Sequence, residues 1–598
     1  MEYDNDIIIL EPLYSDSPLL RTIEISLRKI ELETLILPKI KKIMKKNKNV
    51  KIVSPDKNIT SILSDKGFQN TFEINYIDKI DIEKRSREIS EELYQYWIKK
   101  NVLEFDGIDF VTVLQCEVIW EIHELLSKFE TYNDLMKKEN IKNVYTESNF
   151  SLESKIINSA CTNLNINHFS FYPDIYGKIR NFLVNLVRYK GFKASFNEIG
   201  LYLKETKPVN ITSKKKILID ATYKNYLINI IPVLKQVSIE NEFDCYFLSR
   251  KDDLDALNVE FKTINKFNFN GKYKGMKKIL GELFDNSNRF NKIFDYDNTN
   301  LQWLKKELRY STKKKLPYLL KKMEIAKGII SNLSPNIILI GDDRSVMTRS
   351  SILPAKQKNI PVLEVQHGLY DKPNLMITPI SDKICAWGNY TKCVLMEAGT
   401  DEKTIEITGS PQYDFSLEKY SKYYKKQRDY SIILFATQPI YNYINLKVIE
   451  KIGSFLNQNN EFKLLVKPHP IENVEFYKSL EQKFRGVTVL DSNKNITDVL
   501  IKSDIFITFS STTGIEAAIL NKPIICLNIK DKDSIYTSNG IAVEVKDENH
   551  ITNAIYEISH NKELIKKMED ARKNFAYEHN YLNDMQASKR IADIIQKY

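Results

Sequence analysis

The chain has 598 residues, of which 42% are hydrophobic and 28% charged, with 18 Gly and 18 Pro. At roughly 150 residues per domain this is three or four domains of ordinary soluble composition, which excludes collagen-like, low-complexity and wholly disordered chains. Its 88 basic against 78 acidic residues leave a net charge of +10, a mild excess that points to an anionic ligand or surface.

The start, Met1-Glu2-Tyr3-Asp4-Asn5-Asp6, is acidic ahead of the apolar run Ile7–Leu10, the reverse of a signal peptide's basic opening. No uninterrupted apolar stretch reaches the roughly 18 residues of a membrane span. Cys116, Cys161, Cys245, Cys385, Cys393 and Cys526 form no CxxC and no Cys/His quartet. Neither a disulfide framework nor a structural zinc site is expected, and a reduced, cytoplasmic setting fits.

Short β-branched runs alternate with longer amphipathic segments, the pattern of βαβ units and parallel sheets, so the expected fold class is α/β. In chain order the strands are expected at Ile7–Leu10, Val50–Val53, Ile217–Ile219, Ile337–Ile340, Val362–Val365, Ile432–Phe435, Leu464–Val466, Ile505–Phe509 and Ile524–Leu527. Polar stretches at 205–213 and 416–430 divide the chain into 1–207, 208–425 and 426–598. An internal echo links Asn143-Val144-Tyr145-Thr146-Glu147-Ser148, followed by Asn165-Ile166, with Asn336-Ile337-Ile338-Leu339-Ile340-Gly341-Asp342, followed by Asn359-Ile360. It suggests a duplicated Rossmann-like unit in the first third. Between Lys305 and Lys327, nine Lys and Arg face only Glu307 and Glu324. This is either a solvated helix face or a surface for acidic lipid headgroups. Nucleic acid is not expected, because no zinc-finger or aromatic RNP-type motif accompanies the charge.

In open parallel sheets ligands sit beyond the carboxyl ends of the strands, so the strand exits carry the functional reading. After Ile337–Ile340 come Asp342 and Asp343, a carboxylate pair suited to a general base or, with Arg344, to an N-cap and salt bridge. After Val362–Val365 come Gln366, His367 and Gly368, where the imidazole can move a proton near neutral pH or be a locked core histidine. Gly409 and Pro411 mark a turn fit to line a cleft. Lys467-Pro468-His469-Pro470 presents a cation and a histidine from a restricted backbone, suited to a phosphoryl oxygen. Ser510, Ser511, Thr512, Thr513 and Gly514 open a helix whose N–H groups and dipole attract an anion, while plain N-capping needs only one hydroxyl. Glu516, in the first turn, either caps that helix or reaches a ribose hydroxyl.

Taken together, Gln366-His367-Gly368, Trp387-Gly388, Thr408-Gly409-Ser410-Pro411-Gln412-Tyr413-Asp414, Lys467-Pro468-His469-Pro470 and Ser510-Ser511-Thr512-Thr513-Gly514-Ile515-Glu516-Ala517 resemble capsule and surface-polysaccharide transferases of the GT-B fold. That group includes polysialyltransferases, capsule Kdo transferases and CDP-glycerol glycerophosphotransferases. The resemblance implies a GT-B-like pair of Rossmann-like domains with parallel sheets facing a cleft, plus an extra N-terminal α/β domain. It implies a sugar transferred from a nucleotide-activated donor, CMP- or CDP-linked before UDP-linked, to a glycan or glycolipid hydroxyl.

Lys467, His469, Ser510, Ser511, Thr512 and Thr513 would hold the donor phosphate, and Asp342, Asp343 or His367 would be the base. Gln366, Gly368, Gly409 and Pro411 would line the cleft. No cofactor is required; Mg²⁺, were it used, would take Asp342 and Asp343. The last segment, Leu582–Tyr598, is expected to cross back to the first GT-B domain.

Two departures order the alternatives. Thr508-Phe509 stands where glycerophosphotransferases show Asp-Tyr, which places polyol-phosphate transfer second. Sugar-nucleotide 2-epimerases carry an Arg-rich segment after the last Lys-Pro strand, whereas Lys522–Leu527 leads here into Asn528-Ile529-Lys530-Asp531-Lys532-Asp533, which places epimerisation third. A non-catalytic glycan-assembly scaffold is the remaining reading, and the peripheral inner face of the cell membrane is the expected place of work.

Overall fold

A computed structural model describes residues 6–11, 31–47, 50–68, 71–73, 80–100, 104–105, 108–147, 151–171, 214–221, 224–239, 242–248, 262–263, 276–296, 299–370, 378–423, 429–438, 442–470, 472, 474–509, 511–528 and 534–598. The fold is α/β with Rossmann-like parallel sheets, as the alternation of apolar runs and amphipathic segments implies. Every strand expected from the sequence forms, within a residue or two at its ends.

The first sheet contains β1 (Asp6–Ile9), β2 (Lys51–Ser54), β3 (Thr71–Glu73), β4 (Asn143–Thr146) and β5 (Asn167–Ser170), ordered β3-β2-β1-β4-β5 and parallel throughout. Ile7, Ile8 and Ile9 are all fully buried. Successive strand residues point to opposite faces, so both faces of this sheet are covered, which is why its first strand reads as a continuous apolar run.

The second sheet has seven strands, β6 (Lys215–Asp220), β7 (Phe243–Leu248), β8 (Ile337–Ile340), β9 (Val362–Val365), β10 (Lys383–Ala386) and β11 (Ile405–Ile407) in the order β7-β6-β8-β9-β10-β11, with the two-residue strand Lys262–Thr263 paired outside β7. The third contains β12 (Ser431–Ala436), β13 (Phe462–Lys467), β14 (Val487–Val489), β15 (Ile505–Thr508), β16 (Ile524–Leu527) and β17 (Ala542–Val545), in the order β14-β13-β12-β15-β16-β17. Each sheet begins at its middle, runs outward on one side, then returns to add strands on the other. The reversal beside the first strand leaves a crevice at the carboxyl ends, where such sheets bind ligands.

The chain falls into two compact units, one of Met1–Thr212, Tyr246–Pro335 and Asp343–Ile360, the other of Ser213–Cys245, Asn336–Asp342 and Pro361–Tyr598. The expected linker at 205–213 lies outside the described residues. The internal echo has a structural counterpart: β4, helix Leu152–Asn163 and β5 match β8, helix Val346–Gln357 and β9 in element order. Each helix is N-capped by a serine, Ser151 on the Ser154 N–H and Ser345 on the Thr348 N–H. Each is followed by an asparagine with positive φ, Asn165 at 55° and Asn359 at 54°, the conformation that asparagine tolerates best among residues with a side chain.

Six helices matter below: α1 (Lys224–Ile239), α2 (Gln302–Leu333), α3 (Pro411–Ser421), α4 (Thr513–Ile519), α5 (Lys562–Asn580) and α6 (Ala587–Ile595). Within the second unit the last helix returns to the second sheet, packing on α1 and α3, the crossing expected of Leu582–Tyr598. Its free N–H groups are capped from a distance, because Asp414 accepts the Ala587 N–H at 3.2 Å and the Ser588 N–H at 2.7 Å. Arg590 donates to the Thr408 carbonyl at 2.7 Å, and the Ser410 N–H donates to Asn580 Oδ1 at 2.7 Å. Among the described residues no helix is long and apolar enough to cross a membrane.

Candidate functional site

The exits of β8 and β9 meet around His367. Its Nδ1 lies 2.6 Å from the Gly341 carbonyl oxygen. A carbonyl only accepts, so Nδ1 carries the hydrogen and the lone pair of the neutral ring sits on Nε2. The Tyr226 ring leans on the imidazole at 4.5 Å between centroids. That packing requires glycine at 341, because a Cβ there would stand 2.3 Å from Tyr226 Cγ. His367 is half-buried, so the ring is fixed in orientation without being sealed in the core.

The two carboxylates after β8 separate. Asp342 is half-buried. Asp343 is fully enclosed, and its carbonyl accepts Arg349 Nε at 2.7 Å. Asp342 is therefore the accessible member of the pair. Among the described residues no group of three or more His, Cys, Asp and Glu is assembled as metal ligands.

Gln366 is fully buried and acts as a fastener. It donates to the Gly368 carbonyl at 2.7 Å and to Thr391 Oγ1 at 3.1 Å, and accepts the Trp387 N–H at 2.7 Å. This explains why Gln366 and Trp387-Gly388 occur together: the first holds the loop that the second closes. Gly388 in turn leaves room for the end of α5, since a Cβ there would lie 2.0 Å from the Glu578 carbonyl oxygen. Gly409 takes φ +82° against Asn580 and Ala587, and Pro411 opens α3. These two positions receive the C-terminal helices.

In the third sheet Lys467 turns inward. Its ammonium donates to the Pro468 and Ser492 carbonyls at 2.9 and 2.7 Å, and burial pushes its pKa down against the pull of Asp491 and Glu472. His469 is exposed. Its loop is pinned by Glu472, which the sequence reading did not single out. Glu472 Oε2 accepts the His469 N–H at 2.8 Å as well as Thr437 Oγ1, and Oε1 accepts Tyr477 OH at 2.6 Å. An acid three residues after His469 was the signal available for it.

At the next exit Ser510 lies outside the described residues. Ser511 Oγ accepts the Thr513 N–H at 3.3 Å, while the Gly514 and Ile515 N–H groups bond the Ser511 and Thr512 carbonyls. Thr512 is exposed. Gly514 admits the Tyr536 ring, whose Cζ would be 2.4 Å from an added Cβ. Glu516 faces the interior, accepting from Ser416 Oγ at 2.8 Å and Thr497 Oγ1 at 2.7 Å. Burial raises its pKa against those hydrogen bonds, and it clamps α3 to α4 rather than reaching outward.

The family model described as UDP-N-acetylglucosamine 2-epimerase matches residues 290–596. No curated protein matches the chain. Among solved structures, it is similar to a UDP-N-acetylglucosamine 2-epimerase from Listeria monocytogenes at 16% identity and TM-score 0.45, over 64% of this chain and 96% of that one. It is similar to UDP-GlcNAc 2-epimerase from Neisseria meningitidis bound to UDP-GlcNAc at 16% identity and TM-score 0.43, over 64% and 100%. For the wall teichoic acid polymerase TagF the values are 13% identity and TM-score 0.40, over 69% and 96%. The family placed third on the Asn528–Asp533 segment is thus the one whose model matches.

Proposed function

This chain belongs to the UDP-N-acetylglucosamine 2-epimerase family, and from that premise we propose that it acts on a nucleotide-activated sugar and transfers that sugar to a hydroxyl of a surface glycan. The observation that carries the reading is His367, a half-buried imidazole whose Nδ1–H is held by the Gly341 carbonyl at the carboxyl end of a parallel sheet. In the reaction Nε2 takes the proton of the acceptor hydroxyl as its oxygen bonds to the anomeric carbon. The bond from that carbon to the nucleotide phosphate breaks, and the electron pair leaves with the phosphate. Asp342 stands at the neighbouring exit as the second proton acceptor. His469, Ser511, Thr512 and Thr513 would receive the leaving phosphate. The UDP-N-acetylglucosamine in the family's description makes a uridine nucleotide the first to test, ahead of the cytidine nucleotides that the surface-polysaccharide resemblance favours.

A second reading, 2-epimerisation, is favoured by the family match itself. Inverting a C2 centre requires a proton to be removed and returned there, and His367 and Asp342 are the pair for that work. Proton NMR of UDP-N-acetylglucosamine with the protein in D₂O separates the two. Transfer predicts an unchanged C2 proton and nucleotide release only when an acceptor glycan is added. A C2 epimer, or deuterium at C2 without acceptor, overturns transfer in favour of epimerisation.

A further inference from the structure

We propose that the exposed face of α2 formed by Lys306, Arg309, Tyr310, Lys313 and Lys314 is a docking surface for an acidic lipid bilayer. The inference does not rest on which reaction the enzyme performs. Eight of the nine cations between 305 and 327 divide sharply once the helix is folded, Lys327 alone being half-buried outside both groups. Lys305 is buried and donates to Asn286 Oδ1 at 3.1 Å and Asn291 Oδ1 at 2.6 Å. Lys315 pairs with Glu117 and, at 3.4 Å, with Glu121. Lys321 pairs with Glu324 at 2.9 Å, and Lys322 is buried. Those cations serve the fold.

Lys306, Arg309, Tyr310, Lys313 and Lys314 are all exposed. Their spacing of i, i+3, i+4, i+7 and i+8 puts them on one face, over roughly 12 Å of axis at 1.5 Å per residue. Glu307, which falls between them in sequence, is turned to Lys155 at 2.6 Å. Among the described residues no carboxylate lies within 4 Å of the Lys306, Arg309 or Lys313 head groups. Ordinary surfaces interleave the two signs, and around Lys306, Arg309 and Lys313 they are not interleaved among the described residues.

Three features select a bilayer among polyanions. The face is a straight helical stripe, which meets a plane along its whole length. Its charges are three ammonium groups and one guanidinium, and lysine is a hydrated point charge suited to a diffuse field rather than to bidentate recognition of one phosphate. Tyr310 stands at its centre, 37% exposed, with Lys314 Nζ 5.6 Å from the ring centroid. An aromatic ring with a polar tip among lysines is the side chain that settles at headgroup depth.

The test is co-sedimentation of the full chain with vesicles of phosphatidylcholine alone and with phosphatidylglycerol added. Each cation near an acidic surface contributes about fivefold in partitioning. Binding is expected only to the acidic vesicles, and the triple variant Lys306→Glu, Arg309→Glu, Lys313→Glu should lose it by on the order of a hundredfold or more. The charge-matched control Lys562→Glu, Lys566→Glu, Lys567→Glu, at exposed positions of α5, should stay within about threefold of the parent. Lys306→Gln, Arg309→Gln, Lys313→Gln gives the same readout if charge reversal disturbs folding. Absence of binding by the parent, or equal loss in the control, overturns the proposal. Equal competition by a soluble polyanion such as dextran sulfate, with no preference for vesicles, overturns it in favour of a soluble anionic polymer.

Discussion

His367 is placed by a carbonyl it cannot exchange and a ring it cannot pass, and each contact has a test. Replacing His367 by Ala is expected to lower turnover by about 10²- to 10⁴-fold, with nucleotide affinity within about twofold, since the phosphate is assigned to the third sheet. Gly341→Ala should cripple folding or turnover, because the new Cβ meets Tyr226 at 2.3 Å; adding Tyr226→Ala should recover the stability, as a melting series would reveal. Calorimetric titration of UDP, CDP, CMP and GDP should find one nucleotide that binds, weakened about tenfold or more by His469→Ala. If none binds, the assignment of the phosphate to the third sheet fails.

The place of His367 was legible in the sequence, since a histidine straight after an apolar run marks a strand exit. The directions of Lys467, Glu516 and Asp343 were not. Lys467 ends a strand, whose last residue points to one of two faces, and Glu516 sits in a helix turn; only the folded neighbours, the Ser492 carbonyl for the first and Ser416 for the second, decide the direction. Tyr226 left no trace, because its importance depends on the missing side chain of Gly341 more than a hundred positions away.

Among elements, the C-terminal pair α5 and α6 ties together distant parts of the second unit. Asp414 caps α6 from another helix, and Asp414→Ala is expected to cost about 2 kcal/mol by leaving the Ala587 and Ser588 N–H groups without it, measured as a lowered midpoint in denaturant.

His579 lies in the same joint, 4.0 Å from the Phe575 ring and 4.5 Å from Tyr390 between centroids, and burial lowers its pKa to about 4. The fold therefore favours the neutral ring. The stability that His579 adds is complete above about pH 6.5 and is lost as pH falls toward 4, on the order of 3 kcal/mol in all. His168, half-buried with its pKa also lowered to about 4, acts with the same sign. The melting temperature should fall across that window, and His579→Phe should remove part of the fall. A slope unchanged in that variant would refute the assignment. The turn at Gly409 could be read from sequence. Its partner could not, because Asn580 follows Ser410 by 170 residues and no local pattern joins them.

At the scale of the molecule, three sheets repeat one wiring. That wiring was largely visible in the sequence, since buried parallel strands are unbroken apolar runs. Of the strands missed, Val487–Val489 and Ile405–Ile407 have three residues each and stand at sheet edges, where half-exposed alternation is too brief to detect, while Phe243–Leu248, Lys383–Ala386 and Ala542–Val545 each carry a charged residue, Asp244, Lys383 and Glu544, that breaks the apolar run. The repeated asparagines of the echo proved to be left-handed corners at matching places, a signal carried by backbone geometry rather than by packing.

The return of α6 to the second sheet also fixes an order of events during synthesis. Residues 388, 409 and 414 leave the ribosome long before 578, 587 and 588, which complete their contacts. The nascent chain must keep these receiving surfaces open through the synthesis of the entire third sheet, and a chain terminated early exposes them permanently. The joint thereby presents unfilled sites to chaperones or proteases until α6 arrives.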